Sequence, residues 1–468
     1  MTATNHITPA ASSTHSNRSP LTPGFTFAVL LGVTLNPLNT SVIATALVGI
    51  GRDFGVNTAE LALLISVLYV VSAVAQPLMG RIATRYGART VYLVGLVLAG
   101  LGGVIGWGAP SFGFLIAARL VLGLGTAAAY PTAMMMIRQI TERHRQPVPA
   151  QLLSLVAASG HVMAAVGLPV GGLLVSIFGW RSVFAMNVPL ALISLVAVLA
   201  FARVPGANDR VDDGTGWRTF DPVGVLLFAL CITATMITLR DFTHLNVWAA
   251  AVMVLTAGAL WVWSHRAAAP LLDVRKLGSN GALLRTYLRL VFTFAVLYAM
   301  LYGVSQWLEQ ARGFDPSTVG FLMIPMSALS ALASMAVGRG ARVRSLLVAS
   351  SVLMVAAAAG LVAAALWHSV WIAVAAVSAA GIAMGMNNVG NQAMLYLASP
   401  AADMGVNSGF YRTFSYVGGF VATGLLGTVF LDAATDARMG VLAAVLGGLG
   451  VALVALVALD RKIPARAN

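Results

Sequence analysis

From residue 25 to residue 459 the chain is a succession of long apolar runs, most of them about 20 residues, broken by short polar stretches. Coiled as α-helix at ~1.5 Å per residue, such runs match the hydrocarbon thickness of a bilayer. They lack the two-residue alternation of a barrel strand, so helices must satisfy their backbone groups. The runs fall near 25–50, 59–79, 91–110, 113–137, 150–177, 182–202, 222–239, 246–264, 286–308, 317–337, 347–366, 369–392, 406–431 and 439–459. The pattern predicts an all-α membrane protein of about 14 transmembrane helices. A twelve-span alternative lays 222–264 on the surface, where two apolar stretches would have neither core nor bilayer. Residues 1–24 are polar, rich in Ser, Thr and Pro, and predict a disordered tail, not a cleavable signal.

Composition agrees. Of 468 residues, 59% are hydrophobic and 9% charged, with mean hydropathy +0.87. A globular chain carries roughly 25% charged residues to cover its surface. The net charge of +13 raises the question of nucleic acid. The placement of the charges answers it. With the N-terminus in the cytoplasm, the cytoplasmic segments hold 20 of the 28 basic residues, in clusters such as Arg81/Arg85/Arg89 and Arg138/Arg143/Arg145. The outer loops hold Arg52, Arg181, Arg240, Arg312 and Arg438, and acidic residues show no such bias. This is the positive-inside pattern. It predicts a multi-pass cell (inner) membrane protein with both termini cytoplasmic and no nucleic-acid partner. Cys231 is the sole cysteine, so one chain can build neither a disulfide framework nor a cysteine metal site. No P-loop, no H-E-x-x-H and no nucleophile–base set occurs, which argues against an ATP-driven pump or an enzyme. No metal or cofactor is expected.

Polar residues inside the runs are the candidate chemistry. Asn36, Asn39, Thr40, Ser41 and Thr45 give the first span a polar face that should turn towards a cavity. Arg119, Arg289 and Arg412 lie within spans. A guanidinium there keeps its proton and must meet protein, water or an anion. Arg119 and Arg412 either bind neighbouring carbonyls and amides or make a cavity electropositive, which would favour an anionic or neutral solute. Asn387/Asn391 and Asn388/Gln392 are i,i+4 pairs that either bind solute or cross-link helices. Tyr130, Tyr298, Tyr302, Gln306 and Tyr416 are candidates to line the cavity. Two groups are candidate proton carriers. Glu309 sits at the outer end of the ninth span and His161 lies within the fifth, each with an alternative structural role. Gly167 and Gly171 share a helical face that admits a close neighbour, and Pro169 permits a bend.

Six segments together resemble the major facilitator superfamily, in particular its fourteen-helix drug:proton antiporter branch. Gly80-Arg81-Ile-Ala-Thr84-Arg85-Tyr-Gly87-Ala-Arg89 is similar to that family's G-x-L-A-D-R-x-G-R-R loop, with Thr84 in place of Asp. Arg119 to Gly125 resembles R-x-x-x-G-x-G. Gly167-Leu-Pro169-Val-Gly171-Gly172 resembles the antiporter motif with its proline moved by one position. Gly179-Trp-Arg-Ser-Val-Phe-Ala-Met-Asn187-Val-Pro189 matches G-W-R-x-x-F-x-x-N-x-P. Leu308-Glu309-Gln310 and Arg412 with Gly418-Gly419 complete the set. The resemblance implies two pseudo-symmetric six-helix bundles, at 25–203 and 286–459, with inserted helices at 222–264. Cytoplasmic linkers at 204–221 and 265–285 join them, and a short tail follows at 460–468. It also implies a secondary active exporter of small organic molecules or drugs, functional as a monomer in the lipid bilayer, exchanging solute for protons by alternating access. Asn39 stands where the family usually has Asp, and Asn cannot change charge. That leaves open a proton-uncoupled facilitator or importer of an anionic or neutral solute, or a non-transporting sensor on the same scaffold.

Overall fold

The structure, a computed structural model, describes residues 21–56, 58–146, 148–202, 220–239, 246–337, 342–431, 433–460 and 463. The expected N-terminal tail up to residue 20, most of the 204–221 linker and nearly all of the C-terminal tail lie outside them. In chain order the helices are α1 (Pro23–Phe54), α2 (Thr58–Tyr86), α3 (Ala88–Trp107), α4 (Phe112–Arg143), α5 (Ala150–Phe178), α6 (Ser182–Ala185) and α7 (Asn187–Phe201). Then come α8 (Pro222–Leu239), α9 (Val247–Arg266), α10 (Val274–Ser279), α11 (Gly281–Arg312), α12 (Pro316–Ala336), α13 (Val343–Leu366), α14 (Val370–Ala398), α15 (Met404–Phe430) and α16 (Asp436–Ala458). Among the described residues there is no strand, and 13 helical segments are long and apolar enough to cross a membrane. The 29-residue α5 contributes two shorter apolar pieces, Gln151–Gly160 and Pro169–Phe178.

Local chemistry sets the ends. The Thr22 hydroxyl accepts the Phe25 N–H and Pro23 opens α1, while Gly55 at φ +65° closes it in the left-handed conformation. Several helices outrun the apolar runs that predict them. α2 continues through Gly80–Tyr86 and α4 through Arg138–Arg143, because helical hydrogen bonding extends past the membrane boundary into polar turns. The sixth predicted span is divided into α6 and α7, and α10 is a short helix that hydropathy does not mark.

Packing makes two similar bundles. α1 lies on α5 as α11 lies on α15; α3 on α4 as α13 on α14; and α2 on α4 as α12 on α14. The bundles meet along two seams, α2 against α15 and α5 against α12. α8 and α9 pair with each other, and α8 rests on both α2 and α15, so the inserted hairpin lies along the first seam. One extensive apolar cluster belongs mainly to the first bundle, a second to the other. Large apolar side chains such as Trp248, Phe321 and Trp371 cover the exterior, as a lipid-facing surface requires. Below, the end carrying Arg81, Arg89 and Arg138 is the basic end and its opposite the far end.

Candidate functional site

The cleft between the bundles is closed at the basic end. There Gly80 of α2 abuts Gly405 of α15 backbone to backbone, and Gly409 abuts Pro77. Only hydrogen side chains allow that approach. Thr413 Oγ1 donates to the Ala73 carbonyl at 2.5 Å, Arg138 donates to the Tyr396 carbonyl at 3.0 Å, and Tyr396 Oη donates back to the Met134 carbonyl at 3.1 Å. Arg81 reaches past the bundle to the Ala269 carbonyl (2.6 Å) and the Pro270 carbonyl, in the segment after α9. That segment is braced by the buried Asp221, whose carboxylate accepts the N–H groups of Leu271, Gly224 and the Trp263 indole. Tyr86 stacks on Phe220 at 6.0 Å, with Arg85 beside the same ring. The inserted hairpin therefore grips the basic end of α2. Thr84, which stands where the resembled family has Asp, donates to the Gly80 carbonyl of its own helix at 3.2 Å. Gly87 begins α3 at φ +88°, and Arg89 donates to the Leu199 carbonyl at 3.4 Å.

Midway along the cleft a polar network joins the bundles. Asn36 donates to Ser72 and Thr126 (both 3.0 Å) and accepts from Tyr416 Oη of the other bundle at 3.1 Å. Gln76 donates to the same Tyr416 hydroxyl at 3.1 Å. Tyr69 packs edge-on against Tyr416 and Phe420. Arg412 of α15 lies over the ring of Tyr130, 4.6 Å from its centroid, and Tyr130 stacks on Tyr411. Towards the far end α11 and α15, both of the second bundle, border a groove of about 400 Å³. Tyr302, Ser305, Gln306 and Glu309 line one wall, Thr423 and Gly427 the other.

Of the residues predicted to meet solute, Asn36, Tyr130, Arg412 and Tyr416 lie where the two bundles meet, and Tyr302 and Gln306 line the groove of the second bundle. Four others do neither. Asn39 exchanges hydrogen bonds with Asn187 of α7 at 2.6 and 3.0 Å and is buried inside the first bundle. Arg119 is 1% exposed and donates to the carbonyls of Leu64 and Asn39, tying α4 to α2 and α1. Asn387 and Asn391 face α11 and α13. Asn391 accepts from Arg289 at 3.1 Å, and Asn387 joins Thr293 to Ser350. In each case a neighbouring helix offers the partner that a sequence alone leaves open. Thr40 is half-buried and returns its hydroxyl to the Asn36 carbonyl. The side chain of His161 lies outside the described residues. Gly167 and Gly171 let α5 seat on Ser41, Val42 and Thr45 of α1, whereas Gly172 faces open space and Pro169 the exterior. Sequence reasoning missed Ser72, Gln76 and Thr126, which partner the first span's polar face. It also missed Asp460, which lies just past the last apolar run and pairs with the buried Arg289 at 2.9 Å.

Two matched helical bundles that meet across polar and aromatic residues have the architecture of a membrane transporter. More specifically, the chain belongs to the Major Facilitator Superfamily, whose sequence profile matches residues 29–423. It is 28% identical over 441 residues to the uncharacterised MFS-type transporter YwoD of Bacillus subtilis (strain 168), covering 91% of this chain and 94% of that one. To the multidrug resistance protein Stp of Mycobacterium tuberculosis (strain CDC 1551 / Oshkosh) it is 30% identical over 67% of this chain and 58% of that protein. The methylenomycin A resistance protein of Streptomyces coelicolor (strain ATCC BAA-471 / A3(2) / M145) is 28% identical over 86% of this chain and 84% of its own length. The fold is shared with the human organic anion transporter MFSD10, at TM-score 0.67 and 15% identity, covering 93% of this chain and 100% of that one. It is shared also with the proton:xylose symporter XylE, at TM-score 0.66 and 15% identity over 94% and 95%.

Proposed function

We propose that this protein is a secondary active exporter of small organic molecules working by alternating access. The observation that carries this reading is the meeting of the two bundles, sealed by the Gly80–Gly405 approach at the basic end, with the Tyr302/Gln306/Glu309 groove of the second bundle towards the far end. Relatives named for multidrug and methylenomycin resistance support export as the direction. In this reading residues 25–203 and 286–459 rock against each other within a single chain. The arginine clusters support a basic end, and both termini, on the cytoplasmic side of the cell membrane. A non-transporting sensor would need no convergent polar faces, yet Asn36, Gln76 and Tyr416 meet across the seam.

Glu309 lines the groove and is the candidate proton carrier, with His161 as the second. The uncoupled alternative draws on one specific observation: Asn39, at the position where a carboxylate is usual in the resembled branch, is locked to Asn187. Solute flux in inverted membrane vesicles under an imposed pH gradient tests both. Exchange predicts gradient-driven accumulation that Glu309→Gln abolishes. Accumulation that ignores the gradient refutes coupling, and absence of any flux across cationic, neutral and anionic solutes refutes export.

A further inference from the structure

Three intramembrane arginines can be compared. Arg119 rests on backbone carbonyls, and Arg289 is held by Asp460, Asn391 and Thr286. Arg412 has neither kind of support. Among the described residues it makes no ion pair, and its Nε is buried without a hydrogen-bond partner. The hydroxyls of Tyr130 and Tyr411 are also buried without partners, although both rings are nearly fully enclosed. These three groups sit together: the guanidinium is 4.6 Å from the Tyr130 ring centroid, and the two rings stack at 6.3 Å. Three buried donor groups thus lie on neighbouring side chains midway along the cleft, and among the described residues none of these atoms has a hydrogen-bond acceptor.

The carboxylates on the neighbouring elements stand elsewhere. Glu142 is at the basic end of α4 in a pair with Arg138, Glu309 lines the far groove of α11, and Glu60 is in the first turn of α2. Asp403, before α15, faces Lys276. The surroundings are aromatic instead. Phe294 packs on Tyr298, Tyr298 stacks on Tyr302, and Tyr69 packs on Tyr416.

We propose that Arg412, Tyr130 and Tyr411 form the anion-binding subsite of the transported solute, and that this solute is a small aromatic carboxylate. The proposal rests on the reading of this chain as a solute exporter and assigns its substrate class. A carboxylate accepts two hydrogen bonds from a guanidinium fork and has lone pairs left for phenol hydroxyls. Its ring would lie against the tyrosines that continue towards the groove. An organic cation entering the same place would face an unneutralised guanidinium and two donors, so it is discriminated against.

The test uses the purified full-length protein in lipid nanodiscs, titrated calorimetrically with benzoate, its neutral analogue benzamide, the cation benzylammonium, and chloride. Benzoate is expected to bind about tenfold or more tighter than benzamide, as a charge-assisted hydrogen bond requires, with no saturable benzylammonium binding. Arg412→Gln should erase the preference, and Arg412→Lys should keep part of it. Tyr130→Phe and Tyr411→Phe, which preserve the rings, should each weaken benzoate several-fold and benzamide by less, because a hydrogen bond to the charged carboxylate is the stronger one. Equal binding of the three aromatic probes, benzoate preference surviving Arg412→Gln, or no saturable benzoate binding overturns the proposal. A chloride response equal to that of benzoate overturns the aromatic assignment. Vesicle flux of a neutral or cationic solute that is indifferent to Arg412→Gln sinks this site and leaves the exporter reading intact. Benzoate binding without flux does the reverse.

Discussion

A methyl group at position 80 should move the whole transporter towards the state open at the basic end. The Cβ of Gly80→Ala would lie 2.6 Å from the Val406 amide nitrogen, and closer still to the Gly405 carbonyl, where ordinary contact begins at 3.4 Å. The shortfall at the amide alone, 3.4 less 2.6, is 0.8 Å. Both sides are backbone of packed helices, so no side chain can swing away, and α2 and α15 must separate. Overpacking of this kind costs about 1–3 kcal/mol. Loss of the Thr413–Ala73 hydrogen bond, which the same approach supports, adds about 1 kcal/mol. The combined bias of about 2–4 kcal/mol corresponds to roughly 30- to 900-fold in the balance between the two states. In a Cys231→Ser background, reporter substitutions Val406→Cys at the seam and Gly427→Cys in the far groove can be titrated with a membrane-impermeant maleimide. With Gly80→Ala present, labelling should rise at position 406 and fall at position 427, and transport should slow. Unchanged labelling at both positions with wild-type transport would refute the idea that this approach seals the cleft.

Arg81→Gln should loosen the same end by a different route, since it frees α2 from the Ala269 and Pro270 carbonyls; faster labelling of Val406→Cys with unaltered thermal stability checks it. Asp460→Asn leaves the guanidinium of Arg289, which is 0% exposed, without its closest charge. It should cost about 3–5 kcal/mol, read as a large fall in Tm of the purified protein. Asn187→Leu strands the Asn39 amide in the first bundle and should cost about 1–3 kcal/mol, with transport of the surviving protein little changed. A variant at Asn187 that is stable but inactive would return the Asn39 pair to the solute path.

The apolar runs and the arginines carried a great deal. A run long enough to cross hydrocarbon must be helical, and that constraint acts on each segment by itself, so 222–239 was legible to the residue as α8. The pairing of Gly167 with Gly171 was legible for the same reason. Helical spacing alone puts them on one face, and the structure seats α1 there. What hydropathy could not mark were helical turns beyond the bilayer, such as Gly80–Tyr86, or a charge such as Asp460 that sits one residue past a run yet folds back into the protein.

The destination of each polar side chain was a different kind of question. Asn36 and Asn39 are three residues apart and both read as facing solute, but one bonds across the cleft to Tyr416 and the other into its own bundle. Arg119, Arg289 and Arg412 are alike in sequence context. Only the neighbours brought by packing make the first two structural and leave the third with unused donors in the cleft. The sequence by itself therefore determined the solvent of this protein and the helical form of its apolar runs, because burial in lipid is a property of each segment. Tertiary structure decided which buried polar groups are already satisfied and which still await a partner, because a hydrogen bond needs a second group that lies far away in the chain.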